Sequence, residues 1–221
     1  MELKFAIFDM DGTLVDSLPY WRQLYLEYLA SRGVTDPPAS VMTQTAPLTS
    51  REAVAFFART FGLSDTPEEG VAEINRLIEG HYRADVLMKQ GAESVLKRLQ
   101  AAGWKMCVAS ATAPQLIDLC LRRLGVRDYF EFVLSCVEVG AGKNHPDVYL
   151  EAARRLGGTP EQTVVFEDAV FAVRTAKQAG FQVAAVYGDP NTTQDQAELK
   201  AAAHWYLPQW EDEDFLRQLG V

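Results

Sequence analysis

No window in this chain of 221 residues reaches the ~18 consecutive apolar residues of a helical membrane span. The N-terminus also lacks a signal-peptide layout, since Lys4 interrupts its start and two acids follow a short apolar run. From these two absences we expect a soluble, cytoplasmic protein. Basic blocks are missing as well. Lys and Arg number 21 against 30 Asp and Glu, for a net charge of −9. Nucleic acid and anionic membranes both need basic surface, so neither is an expected partner. Cysteine is scarce: Cys107, Cys120 and Cys136 form no close pair and lie among apolar neighbours. That argues against a disulfide framework and for free thiols in a reducing compartment. Internal repeats and low-complexity segments are absent too. What is present, 48% hydrophobic and 23% charged residues, is the make-up of an ordinary globular protein. Its length allows one substantial core, or a core with a modest second domain.

The stretch FAIFDMDGTLVDS, residues 5 to 17, carries the first chemistry. An apolar strand runs straight into Asp9 and Asp11, separated by one residue, and then into Gly12. A carboxylate resists burial unless something pairs with it. The identity of that partner should reveal the function.

After this strand the pattern turns helical. Tyr20, Trp21, Leu24, Tyr25, Tyr28 and Leu29 recur at helical spacing and stop near Gly33. Thr49 with Glu52 reads as a capping box, followed by an apolar stripe from Ala53 to Phe61. Thr66, Pro67 and Glu69 read as another, with Val71, Ile74, Leu77, Ile78 and Tyr82 as the apolar face. From about residue 91 strands and helices alternate. Strands are expected at 105–109, 130–134, 163–166, 182–187 and 204–206. Helices are expected at 92–102, 114–124, 146–156, 169–178 and 194–202, with glycines punctuating several ends. Such alternation predicts a parallel sheet with helices on both faces. The fold class is therefore α/β: a Rossmann-like parallel-sheet core, residues 1–16 and 86–221, with an inserted all-helical cap domain, residues 17–85. Hinges are expected near Val15 to Leu18 and Ala84 to Gln90. Ligands of open parallel sheets bind beyond the carboxyl ends of the strands, so the inserted helices are expected to act as a lid.

Polar groups are expected to gather at those ends. The first strand delivers Asp9 and Asp11; strand 105–109 delivers Ser110; strand 163–166 delivers Glu167 and Asp168; the loop GAGKNHPDVY delivers Lys143. Crowded carboxylates repel one another, and a hard divalent cation relieves that. Mg²⁺ suits one or two carboxylates, waters and a substrate phosphate. Asp9 and Asp168 are the candidate direct ligands. Glu167 is expected to bind directly or through water, and the main-chain carbonyl of Asp11 to add an oxygen. Lys143 is expected to hold a phosphate oxygen as a point charge. The Ser110 hydroxyl and nearby backbone N–H groups, that of Ala111 among them, are candidates for the other phosphate oxygens.

The segments DMDGTLVDS, VASAT, GKNHPDVYLEAARRLG and VFEDAVFAVRTAKQAG resemble, in order and spacing, the four motifs of the haloacid dehalogenase-like hydrolase superfamily. The likeness is greatest to its phosphoglycolate phosphatase and β-phosphoglucomutase branch, and it spans essentially the whole chain, helical cap included. The resemblance implies that Asp9 is a nucleophile that becomes an aspartyl phosphate, and that Asp11 protonates the leaving alcohol and then deprotonates water. Dehalogenases of this superfamily carry a non-acidic residue where this chain has Asp11 and need no metal, so Asp11, Glu167 and Asp168 point to phosphate chemistry. A cap arginine in a similar Ser-Arg setting implies a substrate contact for Arg51. The expected activity is a Mg²⁺-dependent phosphatase acting on a small phosphorylated metabolite. One rival is a phosphosugar mutase, against which Trp21 stands where mutase-like sequences place a histidine. The other is a non-catalytic metabolite sensor, which would have lost the nucleophile or the acid. Thr112 is expected to cap the helix that follows it, and the three histidines to be structural or superficial. The natural substrate and the oligomeric state are not legible in the sequence.

Overall fold

The computed structural model describes residues 3–45, 48, 50–187 and 196–221. The expected box at Thr49 and the start of the helix expected from residue 194 lie outside them.

The chain divides into two compact units, residues 1–17 with 86–221, and residues 18–85. The first is built on six parallel strands: β1 (Phe5–Phe8), β2 (Lys105–Ser110), β3 (Phe132–Ser135), β4 (Thr163–Glu167), β5 (Gln182–Val186) and β6 (Trp205–Leu207). Their spatial order is β3-β2-β1-β4-β5-β6, the doubly wound arrangement whose order reverses beside β1. The strands are continuous apolar runs because both faces are covered. On one face, Ile7, Cys107, Val165 and Val183 pack against Val148, Tyr149 and Ala152 of α8 (Asp147–Leu156) and against Val173 and Ala176 of α9 (Val170–Gln178). Elsewhere in this unit Phe8 stacks on Phe166 at 4.5 Å between ring centroids, and Phe166 on Trp210 at 5.4 Å. All three cysteines are buried and free.

The strand expected at 130–134 begins two residues later, because Arg127–Tyr129 form a 3₁₀ turn whose Arg127 carbonyl accepts from the Phe130 N–H. Two short helices in this unit were not anticipated: α7 (Cys136–Val139) and α11 (Glu213–Leu219). The remaining ones are α5 (Ala92–Ala101), α6 (Pro114–Arg123) and α10 (Gln196–Ala202). Where the chain leaves and re-enters this unit the two crossings are tied side by side. Val15 and Met88 form an antiparallel bridge, the Asp16 N–H donates to the Leu87 carbonyl, and the Lys89 N–H donates to the Leu14 carbonyl.

Among the described residues of the second unit the regular elements are all helices: α1 (Leu18–Ser31), α2 (Ala39–Thr45), α3 (Ser50–Phe61) and α4 (Pro67–Ala84). The expected capping box is present at Thr66, whose side chain accepts from the Glu69 N–H while the Glu69 carboxylate accepts from the Thr66 N–H. Gly70 lets α4 approach α3, since a Cβ there would meet the Val54 methyls at 2.3 and 2.7 Å. No described helix is long and apolar enough to cross a membrane.

Candidate active site

The site follows from sheet order. β1 and β4 are hydrogen-bonded neighbours, with Phe8 opposite Phe166, so Asp9, immediately after β1, comes beside Glu167 and Asp168 at the end of β4. The Asp9 N–H continues the ladder by donating to the Phe166 carbonyl at 2.9 Å. One carboxylate oxygen from each of Asp9, Glu167 and Asp168 lies within 4.8 Å of the others. These acids are 6%, 1% and 4% exposed, and Lys143 is 8% exposed.

The Lys143 ammonium donates to Oδ1 of Asp9 and, at 2.5 Å, to Oε1 of Glu167. The Tyr149 hydroxyl donates to that same Glu167 oxygen at 2.7 Å. One ammonium thus serves two buried carboxylates, with a third beside them. Burial dominates the pKa values of Asp9 and Asp168. Burial raises the Asp9 pKa well above its ordinary range; Lys143 pulls it down, but Glu167, Asp168 and Asp11 push it up. Burial and then Glu167 raise Asp168 to about 7. Burial opposes the Lys143 charge, but Asp9 and Glu167 more than offset that and hold its pKa above the usual lysine range. An all-carboxylate, oxygen-donor cluster with more negative charge than its ammonium can cancel fits a hard divalent cation. Asp9, Glu167 and Asp168 are the residues that could hold it.

Asp11 is held differently. Gly12 at φ +84° turns the chain sharply, a conformation open to glycine. The Asp11 side chain then accepts from Ser17 Oγ at 2.6 Å and from Thr112 Oγ1 at 2.8 Å. Its carboxylate is not among the three clustered acids. The expectation that Thr112 caps α6 is corrected: Ala113 is the N-cap residue and supplies no side-chain cap bond. The Thr112 hydroxyl is instead committed to Asp11, and its backbone N–H donates to Ser110 Oγ at 3.1 Å. Ser110 is buried at the end of β2, and Ala111 beside it is exposed. Thr13, whose role the sequence left open, places its hydroxyl 3.4 Å from Asp168 Oδ1, while its carbonyl accepts from the Trp210 indole N–H at 3.2 Å.

Arg51 lies in the helical unit, on α3, exposed and ion-paired with Glu68 at 2.5 Å. Trp21 donates to the Tyr82 hydroxyl at 3.2 Å in the same unit. The bonds of Tyr149 and Ser17 escaped the sequence reading. Ser17 sits inside the DMDGTLVDS segment and could have been suspected, but Tyr149 reads only as one apolar position of α8.

A doubly wound sheet that gathers three buried acids and one ammonium beside its point of strand reversal defines an α/β enzyme core with a cation-seeking polar centre. The chain belongs to the haloacid dehalogenase-like hydrolase family, whose pattern matches residues 3–200. It is 27% identical over 205 residues to a phosphorylated carbohydrates phosphatase of Thermotoga maritima, covering 91% of this chain and 92% of that one. It is 30% identical over 230 residues to (DL)-glycerol-3-phosphatase 2 of Arabidopsis thaliana, covering 95% and 94%. A solved structure from Thermotoga maritima, provisionally named a beta-phosphoglucomutase, superposes with a TM-score of 0.81 at 26% identity over 99% of each chain.

Proposed function

We propose that this chain, a phosphoric monoester hydrolase, acts on a small phosphorylated metabolite through an aspartyl phosphate formed on Asp9, with Mg²⁺ held by Asp9, Asp168 and Glu167. The observation that carries this reading is the Lys143 ammonium bonded to both Asp9 and Glu167, with Asp168 beside them. A cation held there would offset the negative charge of the buried acids and supply Lewis-acid stabilisation to the substrate phosphate.

The chain's own groups do the rest. An Asp9 carboxylate oxygen attacks phosphorus, and the bond from phosphorus to the substrate oxygen breaks. Asp11, oriented by Ser17 and Thr112, gives its proton to the leaving alkoxide. Water then attacks the acyl phosphate, Asp11 takes its proton, and inorganic phosphate and the Asp9 carboxylate are restored. Lys143 faces the transferring phosphoryl group, whose charge is where catalysis of this type chiefly acts. The Ser110 hydroxyl and the Ala111 N–H are assigned to further phosphate oxygens, and the Asp11 carbonyl to the metal. Arg51 is assigned to a second charged group of the substrate. Names of relatives that refer to phosphorylated carbohydrate and glycerol 3-phosphate support a phosphorylated polyol or sugar as the substrate class.

The test is phosphate release from p-nitrophenyl phosphate with and without EDTA, followed by a panel of phosphorylated sugars and polyols. Activity lost to EDTA and restored by Mg²⁺ is expected; activity indifferent to EDTA contradicts the reading. The TM-score of 0.81 to a protein provisionally named a beta-phosphoglucomutase favours a second reading, phosphoryl return to a sugar. It predicts that β-glucose 1-phosphate with a trace of bisphosphate gives an isomer without free phosphate.

A further inference from the structure

Tyr149 has no part in the chemistry above, yet its hydroxyl lies inside the acidic centre. It sits on α8 with no exposed surface. Its ring meets Phe181 edge-on, with centroids 6.2 Å apart and planes at 62°. The Lys143 ammonium stands 5.9 Å from the centroid of the same ring. A phenylalanine would make both of these contacts. The hydroxyl is therefore unnecessary for packing, and a buried hydroxyl is costly without a partner. Its partner is Oε1 of Glu167 at 2.7 Å.

Both bonds to Glu167, from Tyr149 and from Lys143, fall on Oε1. That leaves Oε2 as the oxygen to face a cation. The two donors differ in one respect. Lys143 is shared with Asp9, and the reaction requires its ammonium at the phosphoryl group. Tyr149 has no such second task, and its ring is anchored between α8 and the sheet-side core. We infer that Tyr149 is a positioning residue for the metal site: its hydroxyl fixes the orientation of Glu167 so that the carboxylate stays aimed at the cation while Lys143 serves the substrate. This inference rests on the proposed metal role of Glu167.

Outer partners of metal ligands commonly tune metal affinity by about 10- to 100-fold. The experiment is calorimetric titration of Mg²⁺ into the metal-free protein, comparing the parent, Tyr149→Phe and Phe181→Leu. Tyr149→Phe is expected to fold normally and to bind Mg²⁺ about tenfold more weakly, with turnover largely recovered at saturating Mg²⁺ and the substrate KM unchanged. Phe181→Leu thins the same ring contact but keeps the hydroxyl. It is expected to lower the melting temperature and to leave the Mg²⁺ dissociation constant at the parent value. The inference is overturned if Tyr149→Phe binds Mg²⁺ as the parent does, or if Phe181→Leu weakens binding equally. A parent protein that binds no Mg²⁺ overturns the metal reading and this inference with it, so the two failures are told apart by the parent's own titration.

Discussion

The molecule holds its hydrogen-bonded acids in two ways, one in each unit: Asp65 partly exposed in the helical unit, and Asp9, Glu167 and Asp168 buried in the α/β unit. In the helical unit Asp65 accepts from the Tyr28 hydroxyl and from Arg32 Nε, each at 2.7 Å. Its negative charge is met by one guanidinium and one phenol, and these hold its pKa below the ordinary carboxylate range. In the α/β unit Asp9 and Glu167 share the ammonium of Lys143, with Asp168 beside them and reached by the charges of Lys143 and Lys89, and burial pushes the pKa values of Asp9 and Asp168 up instead. A structural ion pair lowers an acid's pKa because it is balanced. In the acid cluster burial outweighs the attraction of the nearby ammonium groups. Three acids buried together in spite of that cost, rather than a balanced ion pair near the surface, mark the second site as the functional candidate.

The contrast can be broken most severely at Asp9. Asp9→Asn keeps the shape and removes the attacking oxygen, so turnover of p-nitrophenyl phosphate should fall by roughly 10⁴-fold or more, with circular dichroism unchanged. Retained activity would end the nucleophile assignment. Lys143→Met comes next. It strips the ammonium from two buried carboxylates, which should cost about 3–5 kcal/mol in the metal-free protein, read by urea denaturation, and lower turnover by ~10²–10³-fold. A variant as stable as the parent would show that the acids had been neutral already.

The opposite pKa shifts give opposite pH signatures. Asp168 is raised from its ordinary 3.8 to about 7, so the native state holds a proton that the unfolded chain releases. Its contribution to stability is full below about pH 4 and is lost as pH rises through 7, by roughly 4 kcal/mol at most in metal-free protein. Asp65 has the reverse sign: its contribution is present at neutral pH and lost as pH falls below its unfolded value. Melting curves from pH 2 to 8 in EDTA should therefore flatten above pH 4 in Asp168→Asn, while Asp65→Asn should lower the melting temperature throughout pH 4 to 8 and approach the parent only at the acid end. Identical profiles for the two variants would erase the distinction. The smallest effect is expected at Arg51, whose exposed pair with Glu68 is worth at most about 1 kcal/mol. Arg51→Ala should leave the melting temperature and p-nitrophenyl phosphate turnover unchanged and raise KM only for substrates bearing a second charged group. A uniform rise in KM would remove that assignment.

The sequence displayed much of this architecture because buried parallel strands are short apolar runs, and an acid or hydroxyl directly after such a run has few explanations. That logic places Asp9, Ser110 and Glu167 at strand ends, where the structure has them. It failed where geometry, rather than pattern, assigns a role. Thr112 satisfied the spacing rule for a helix cap, yet it bonds to Asp11, 101 residues away in the chain. Tyr149 looked like one more apolar position of α8, and nothing local reveals that its hydroxyl reaches Glu167. The four residues of α7 make about one turn, too few for a 3.6-residue period to register. The turn at Arg127–Tyr129 delays the start of β3 from the expected residue 130 to Phe132.

The central claim is that Asp9 carries the phosphoryl group between substrate and water. Acid-quenched single-turnover samples, digested and mapped by mass spectrometry, test it most directly. The account predicts a transient phosphoryl mass on the peptide containing Asp9, dependent on Mg²⁺ and absent from Asp9→Asn. Turnover with that peptide unmodified, or with the phosphoryl group on another residue, would contradict it.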